Sequence, residues 1–172
     1  MLVLIRTFFD ITLRRKGPED LPASAFLLAV TVLLSIAVQV PLTWIIFGSG
    51  GPILPTLAID LGLLVLCLWL LLRLTGFASR FGQTLTALLG TSALLNVVSL
   101  PFTIWNSSLP AAQPKPLIPS AVILALVLWS FFVDAHILAR ALSTSIFVGL
   151  LITIGYFFLH TTVLVEFVPG LQ

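Results

Sequence analysis

Charge is the scarcest property of this chain. Its 172 residues include eight Lys or Arg and six Asp or Glu, 8% in all, where an ordinary globular protein carries about 25%. So few charges cannot solvate a soluble domain of this length. They also exclude a charge-rich disordered segment and a basic face for nucleic acid. Cysteine is nearly absent: Cys67 stands alone in an apolar run, so no disulfide closes within the chain. There is no CxxC or HExxH pattern, no phosphate-binding Walker loop and no GxGxxG turn. The short motifs behind zinc, nucleotide and dinucleotide chemistry are therefore missing.

What is abundant is hydrocarbon. Apolar residues make up 59% of the chain, and its mean hydropathy is +1.21. A helix needs about 20 predominantly apolar residues to cross a bilayer. Five stretches qualify, at about 23–47, 55–72, 81–104, 117–133 and 141–167. Strand alternation is absent, and backbone groups in lipid must bond within their own segment, so each span is expected to be helical. The fold expected is all-α, a single polytopic membrane domain over 1–172.

Glycine and proline punctuate the spans. Gly48 to Pro52 turns the chain between spans one and two, and Gly76 to Gly82 separates two and three. Pro101, Pro110, Pro114, Pro116 and Pro119 mark a longer connection to span four. A short polar patch at Asp134, His136 and Arg140 is expected to join spans four and five, although 131–146 also reads as one continuous helix. Pro41 is expected to kink span one near its end. Ala58 with Gly62, and Gly149 with Thr153, form small-xxx-small steps that allow close helix packing.

Orientation follows from the basic residues. Arg6, Arg14, Arg15, Lys16, Arg73, Arg80 and Arg140 fall on one side and Lys115 alone on the other. Cytoplasmic loops collect Lys and Arg, so the N-terminus is expected in the cytoplasm and the C-terminus outside, most simply in a bacterial inner membrane. Residues 1–16 are too short and too charged to span. Arg6, Asp10 and Arg14 recur every four residues, Leu4, Ile5, Phe8, Phe9, Ile11 and Leu13 fill much of the rest, and Gly17-Pro18 stops the run. This predicts an interfacial helix on the leaflet surface, with Arg14, Arg15 and Lys16 at anionic lipid.

Ionisable groups inside spans are costly and often functional. Gln39, Asp60, Asn96 and His160 all fall in the outer half of their spans, at comparable depth. Two readings are open: one buried polar cluster, in which Asp60 and His160 approach each other, or four residues separately bonded to headgroups, water or backbone. His136 and His160 lie on the order of 25 Å apart along the membrane normal and cannot share a metal or haem. No catalytic residue, cofactor site or metal site is expected.

Gly17, Pro18, Asp20, Leu21 and Pro22 at the entry to span one, together with Trp129 and the run Asp134-Ala135-His136-Ile137-Leu138-Ala139-Arg140-Ala141-Leu142, resemble segments of small bacterial Yip1-like membrane proteins, as does the five-span topology. The resemblance implies a non-enzymatic membrane organiser and carries no catalytic residue. The leading functional expectation is accordingly a non-catalytic scaffold, organiser or accessory subunit. Its partners would be the lipid bilayer and other membrane subunits or further copies of itself, with no nucleic acid. The alternative is a small oligomeric transporter or channel with Gln39, Asp60, Asn96 and His160 along its route. A shared cavity favours the second; separate exposure to headgroups favours the first.

Overall fold

A computed structural model of the chain describes residues 2–48, 51–108 and 116–168. The described residues form six α-helices and no strand: α1 (Leu2–Thr12), α2 (Ala25–Phe47), α3 (Ile53–Leu74), α4 (Phe81–Ser107), α5 (Leu117–Ala141) and α6 (Ile146–Phe167). Helices α2 to α6 are long and apolar enough to cross a membrane. The expected residues Ser49, Gly50, Pro110, Pro114 and Lys115 lie outside the described residues.

The helix ends follow local chemistry. Ser24 and Ser145 cap α2 and α6 by accepting the backbone N–H groups of Leu27 and Val148. Pro116 precedes α5, and Pro119 sits in its first turn, where a missing N–H costs no helical bond. Pro41 and Pro101 lie inside α2 and α4, so the chain remains helical past both. Helix α3 ends in a Schellman turn: Phe77 N–H reaches Leu72 O and Gly76, at φ +84°, bonds Arg73 O. Helix α5 ends the same way on Ser143, and α1 on Arg14, two side-chain-bearing residues at positive φ.

Two boundaries differ from the sequence expectation. Helix α5 does not stop at Val133 but runs to Ala141, so Asp134, His136 and Arg140 are helical, and α6 starts at Ile146 rather than Ala141. The polar groups beyond Val133 are received by protein: His136 Nε2–H donates to Lys16 O at 3.0 Å, and Arg140 pairs with Glu19. Helix α1 ends at Thr12, not near Lys16. Trp129 Nε1–H takes the Thr12 carbonyl at 3.1 Å, and the Arg14 guanidinium lies over the rings of Trp129 and Phe132. These contacts offset the left-handed backbone at Arg14, which costs roughly 1 kcal/mol. Asp10 consequently pairs with Lys16 across the turn at 3.2 Å, in place of the i,i+4 pairs expected with its arginine neighbours.

The five long helices close into a ring, in the order α2, α4, α5, α6, α3 and back to α2. Helix α1 lies against α4 and α5, with Ile11 fully buried beneath it and Phe8 seated on Gly90, where a Cβ would collide with the ring. Its other side presents Ile5, Phe9 and Leu13 beside the exposed Arg6, the pattern of an interfacial helix. The apolar core is concentrated at the end of the bundle that carries α1 and the arginines, called here the basic end. Leu72, Leu85, Val133, Ile137 and Leu138 meet there. Outward faces of the long helices are apolar, with Phe26, Leu33, Leu54, Leu124, Phe147 and Phe158 exposed as lipid-facing side chains would be.

Helices α5 and α6 cross backbone to backbone. A Cβ on Gly149 would collide with the Ala135 carbonyl, and Thr153, one turn on, is buried with its hydroxyl returned to Gly149 O at 3.0 Å. The other small step, Ala58 with Gly62, is exposed, and a Cβ on Gly62 would meet nothing.

A polar cavity inside the helix ring

Most polar side chains in the spans never leave their own helix. Thr31, Thr84, Thr86 and Thr91 return their hydroxyls to the carbonyl four residues back, so they pack almost as apolar residues do. Ser35 and Ser130 do the same with the carbonyls three residues back, but several other polar groups leave their helix and gather at one place. A cavity of about 290 Å³ inside the ring is lined by Ser35 and Gln39 of α2, Asp60 of α3, Ser92 and Asn96 of α4, Ser130 and Asp134 of α5, and Tyr156 and His160 of α6. Every membrane-spanning helix contributes a polar group to it.

Asp60 is its best-held member. The Asp60 Oδ1 lies 2.6 Å from His160 Nε2, and Gln39 donates its Nε2–H to Asp60 Oδ2. Both carboxylate oxygens of Asp60 thus have a side-chain partner. The side chains of Asp60 and His160 keep 18% and 23% of their surface, so the pair faces the cavity without being sealed off. The Tyr156 ring lies 5.8 Å from that of His160, one turn further into the bundle. The contact joins α2, α3 and α6. Helix α3 otherwise joins the core through Leu68 and Leu72, with Leu61, Leu64, Val65 and Leu71 packed against it.

The geometry has a simple origin. Asp60 lies roughly 10 Å along α3 from Ile53, and His160 lies roughly 10 Å before the end of α6. The two helices run antiparallel, so equal counts from the same end of the bundle bring the groups to one level. All four residues singled out from the sequence line this cavity: three are joined by hydrogen bonds, and Asn96 stands on the facing wall without a side-chain bond to them.

Two further lining residues, Asp134 and Tyr156, are not among the four expected in the cluster. Asp134 was assigned to a surface connection, but α5 carries it inside the bundle, roughly 10 Å from the Ala141 end. The polar lining thus extends beyond the outer half and reaches into the half nearer the basic end. Among the described residues no side chain hydrogen-bonds the Asp134 carboxylate, and Asp134 lines a second cavity of about 260 Å³ as well. The two cavities share Leu64, Leu88, Asp134 and Tyr156. The one available sequence signal for Asp134 was the reading of 131–146 as a continuous helix.

A larger cavity, about 440 Å³, opens at the basic end beside Arg80, Arg140 and Glu19. Its cations already have partners. Arg80 donates to Ala141 O at 2.7 Å and to Ser143 Oγ at 2.8 Å, closing the C-terminus of α5, and Arg140 pairs with Glu19. It reads as the joint between the N-terminal segment and the ring. Among the described residues no three His, Cys, Asp or Glu side chains group as metal ligands would. Comparison of the chain with known protein families, with curated proteins and with solved structures finds no match, and the functional reading therefore rests on the geometry of the two adjoining cavities.

Proposed function

We propose that the chain is a small transport protein that moves protons, alone or with a polar or cationic solute, through the cavity inside its helix ring. The observation that carries this reading is the convergence of five helices on one cavity holding two carboxylates and an imidazole. Each ionisable group placed within a membrane costs about 2.5–3.5 kcal/mol. Packing alone would account for the Gln39–Asp60–His160 contact, but not for a second carboxylate, Asp134, on the same cavity. The Asp60–His160 pair supplies a site that exchanges a proton, and Asp134 supplies a second carboxylate further along the ring. The reading keeps the orientation inferred from the basic residues, with the N-terminus cytoplasmic in a bacterial inner membrane. It requires no catalytic group, but departs from the organiser role that the Yip1-like resemblance implies.

The test is proton uptake into liposomes that hold the full chain and pyranine, driven by a potassium diffusion potential. Wild type is expected to take up protons faster than protein-free liposomes, and the double variant Asp60→Asn with Asp134→Asn to lose about tenfold of that rate. Equal rates in wild-type and protein-free liposomes would overturn the transport reading and return the chain to the role of membrane scaffold.

A further inference from the structure

The second cavity differs in kind from the first. Its walls are Leu68, Leu71, Leu138, Ile152 and Leu159 from α3, α5 and α6, and of its polar lining residues Asp134 and Tyr156 also border the central cavity. Two of its lining residues, Gly155 and Leu159, are exposed on α6, so the cavity opens on the outer face of the bundle. A Cβ on Gly155 would meet nothing within 4 Å. An apolar chamber that opens sideways and ends at a carboxylate with no hydrogen-bonding side chain among the described residues, beside an aromatic ring, has a definite complement. A carboxylate in a low-dielectric wall attracts a cation, and the electron-rich face of tyrosine adds to that attraction. The leucine and isoleucine walls take hydrocarbon. Anionic and zwitterionic amphiphiles lack the matching charge or bring one that Asp134 repels.

We propose that this cavity binds lipophilic organic cations, with the ammonium group at Asp134 and Tyr156 and the apolar body between α3 and α6. The site names the substrate class of the adjoining cavities, and so rests on reading them as a transport route. Entry is lateral, past Gly155, and passage from Asp134 toward the Asp60–His160 pair follows the residues the two cavities share. Proton exchange at those groups then sets whether the carboxylate is free to hold the cation.

The test is calorimetric titration of the full chain in lipid nanodiscs with 4-phenylbutylammonium and with 4-phenylbutanol, which shares its body but carries no charge. The ammonium compound is expected to bind saturably and about tenfold more tightly than the alcohol. Asp134→Asn should erase that preference, while Asp134→Glu, which keeps the charge, should retain it. Gly155→Phe should weaken both compounds by obstructing the mouth. Equal binding of the two compounds, or an ammonium affinity unchanged by Asp134→Asn, would overturn the proposal, as would absence of saturable binding to wild type. Proton uptake distinguishes this failure from that of the transport reading. Uptake intact with no cation binding sinks the ligand class alone; binding intact with no uptake sinks transport and leaves a ligand site.

Discussion

The basic end and the cavity solve the same problem in opposite ways. Both contain polar side chains inside a helix bundle. At the basic end the threonines of α4 bond to their own helix, and Leu72, Val133 and Ile137 close around them with essentially no exposed surface. Irregular backbone there is also satisfied: Gln83, Trp129 and His136 donate to the carbonyls of Leu21, Thr12 and Lys16. In the cavity, Ser35 and Ser130 also bond their own helices, but Gln39, Asp60 and His160 bond between helices, and among the described residues no side chain bonds the Asp134 carboxylate. Polar groups spent on backbone carbonyls, local or distant, leave a region that only packs. Satisfaction across helices, or its absence, leaves groups able to exchange protons and ligands. The contrast is a more useful guide to function here than cavity size, since a cavity of about 440 Å³ lies at the basic end with its arginines already engaged.

The strongest way to break the comparison is at the α5–α6 crossing. Gly149→Leu must push the α6 backbone off the Ala135 carbonyl, which a flexible neighbour cannot relieve. The expected cost is about 3 kcal/mol or more, read as unfolding in mixed detergent. A variant as stable as wild type would mean that the helices do not meet there.

Within the cavity, a double-mutant cycle of Asp60→Asn with His160→Gln should give a coupling energy of about 1 kcal/mol, in the range of interhelical hydrogen bonds in membranes. Additive effects would remove the contact that holds α3 to α6. The matching pair at the basic end, Thr84→Val with Leu138→Ala, should be additive within about 0.5 kcal/mol, because the threonine spends its bond on Arg80 O.

Water access sharpens the contrast without a stability change. In a Cys67→Ala background, Asn96→Cys and Ser130→Cys should react with a charged, water-soluble thiol reagent about tenfold faster than Ala87→Cys, which is fully buried in the basic-end core. Similar rates at all three positions would make the cavity as dry as the core.

The smallest effect is expected at the joint. Glu19 and Arg140 are about half exposed, so Glu19→Gln should change stability by less than about 1 kcal/mol despite their direct contact. A larger loss would show that the N-terminal segment is held by this pair rather than by the donors from α4 and α5.

Span number, helical character and the relative depth of Asp60 and His160 were legible because they depend on distance along the chain. Hydrocarbon demands about 20 apolar residues, and a helix turns residue count into depth at 1.5 Å per step. The meeting of Asp60 and His160 was readable as equal counts from one end, although only the ring order placed α3 beside α6. Three features were decided by the tertiary structure. Whether α5 stopped at Val133 depended on partners more than a hundred residues away: Lys16 O for His136 and Glu19 for Arg140. Where α1 stopped depended on Trp129, which took the Thr12 carbonyl and Arg14 together. Which of two similar small-residue steps became a helix crossing depended on which face met α5: Gly149 did, and Gly62 faces outward. In each case the deciding group comes from a distant part of the chain. Periodicity and composition describe a residue's own helix, but not the face that another helix will cover.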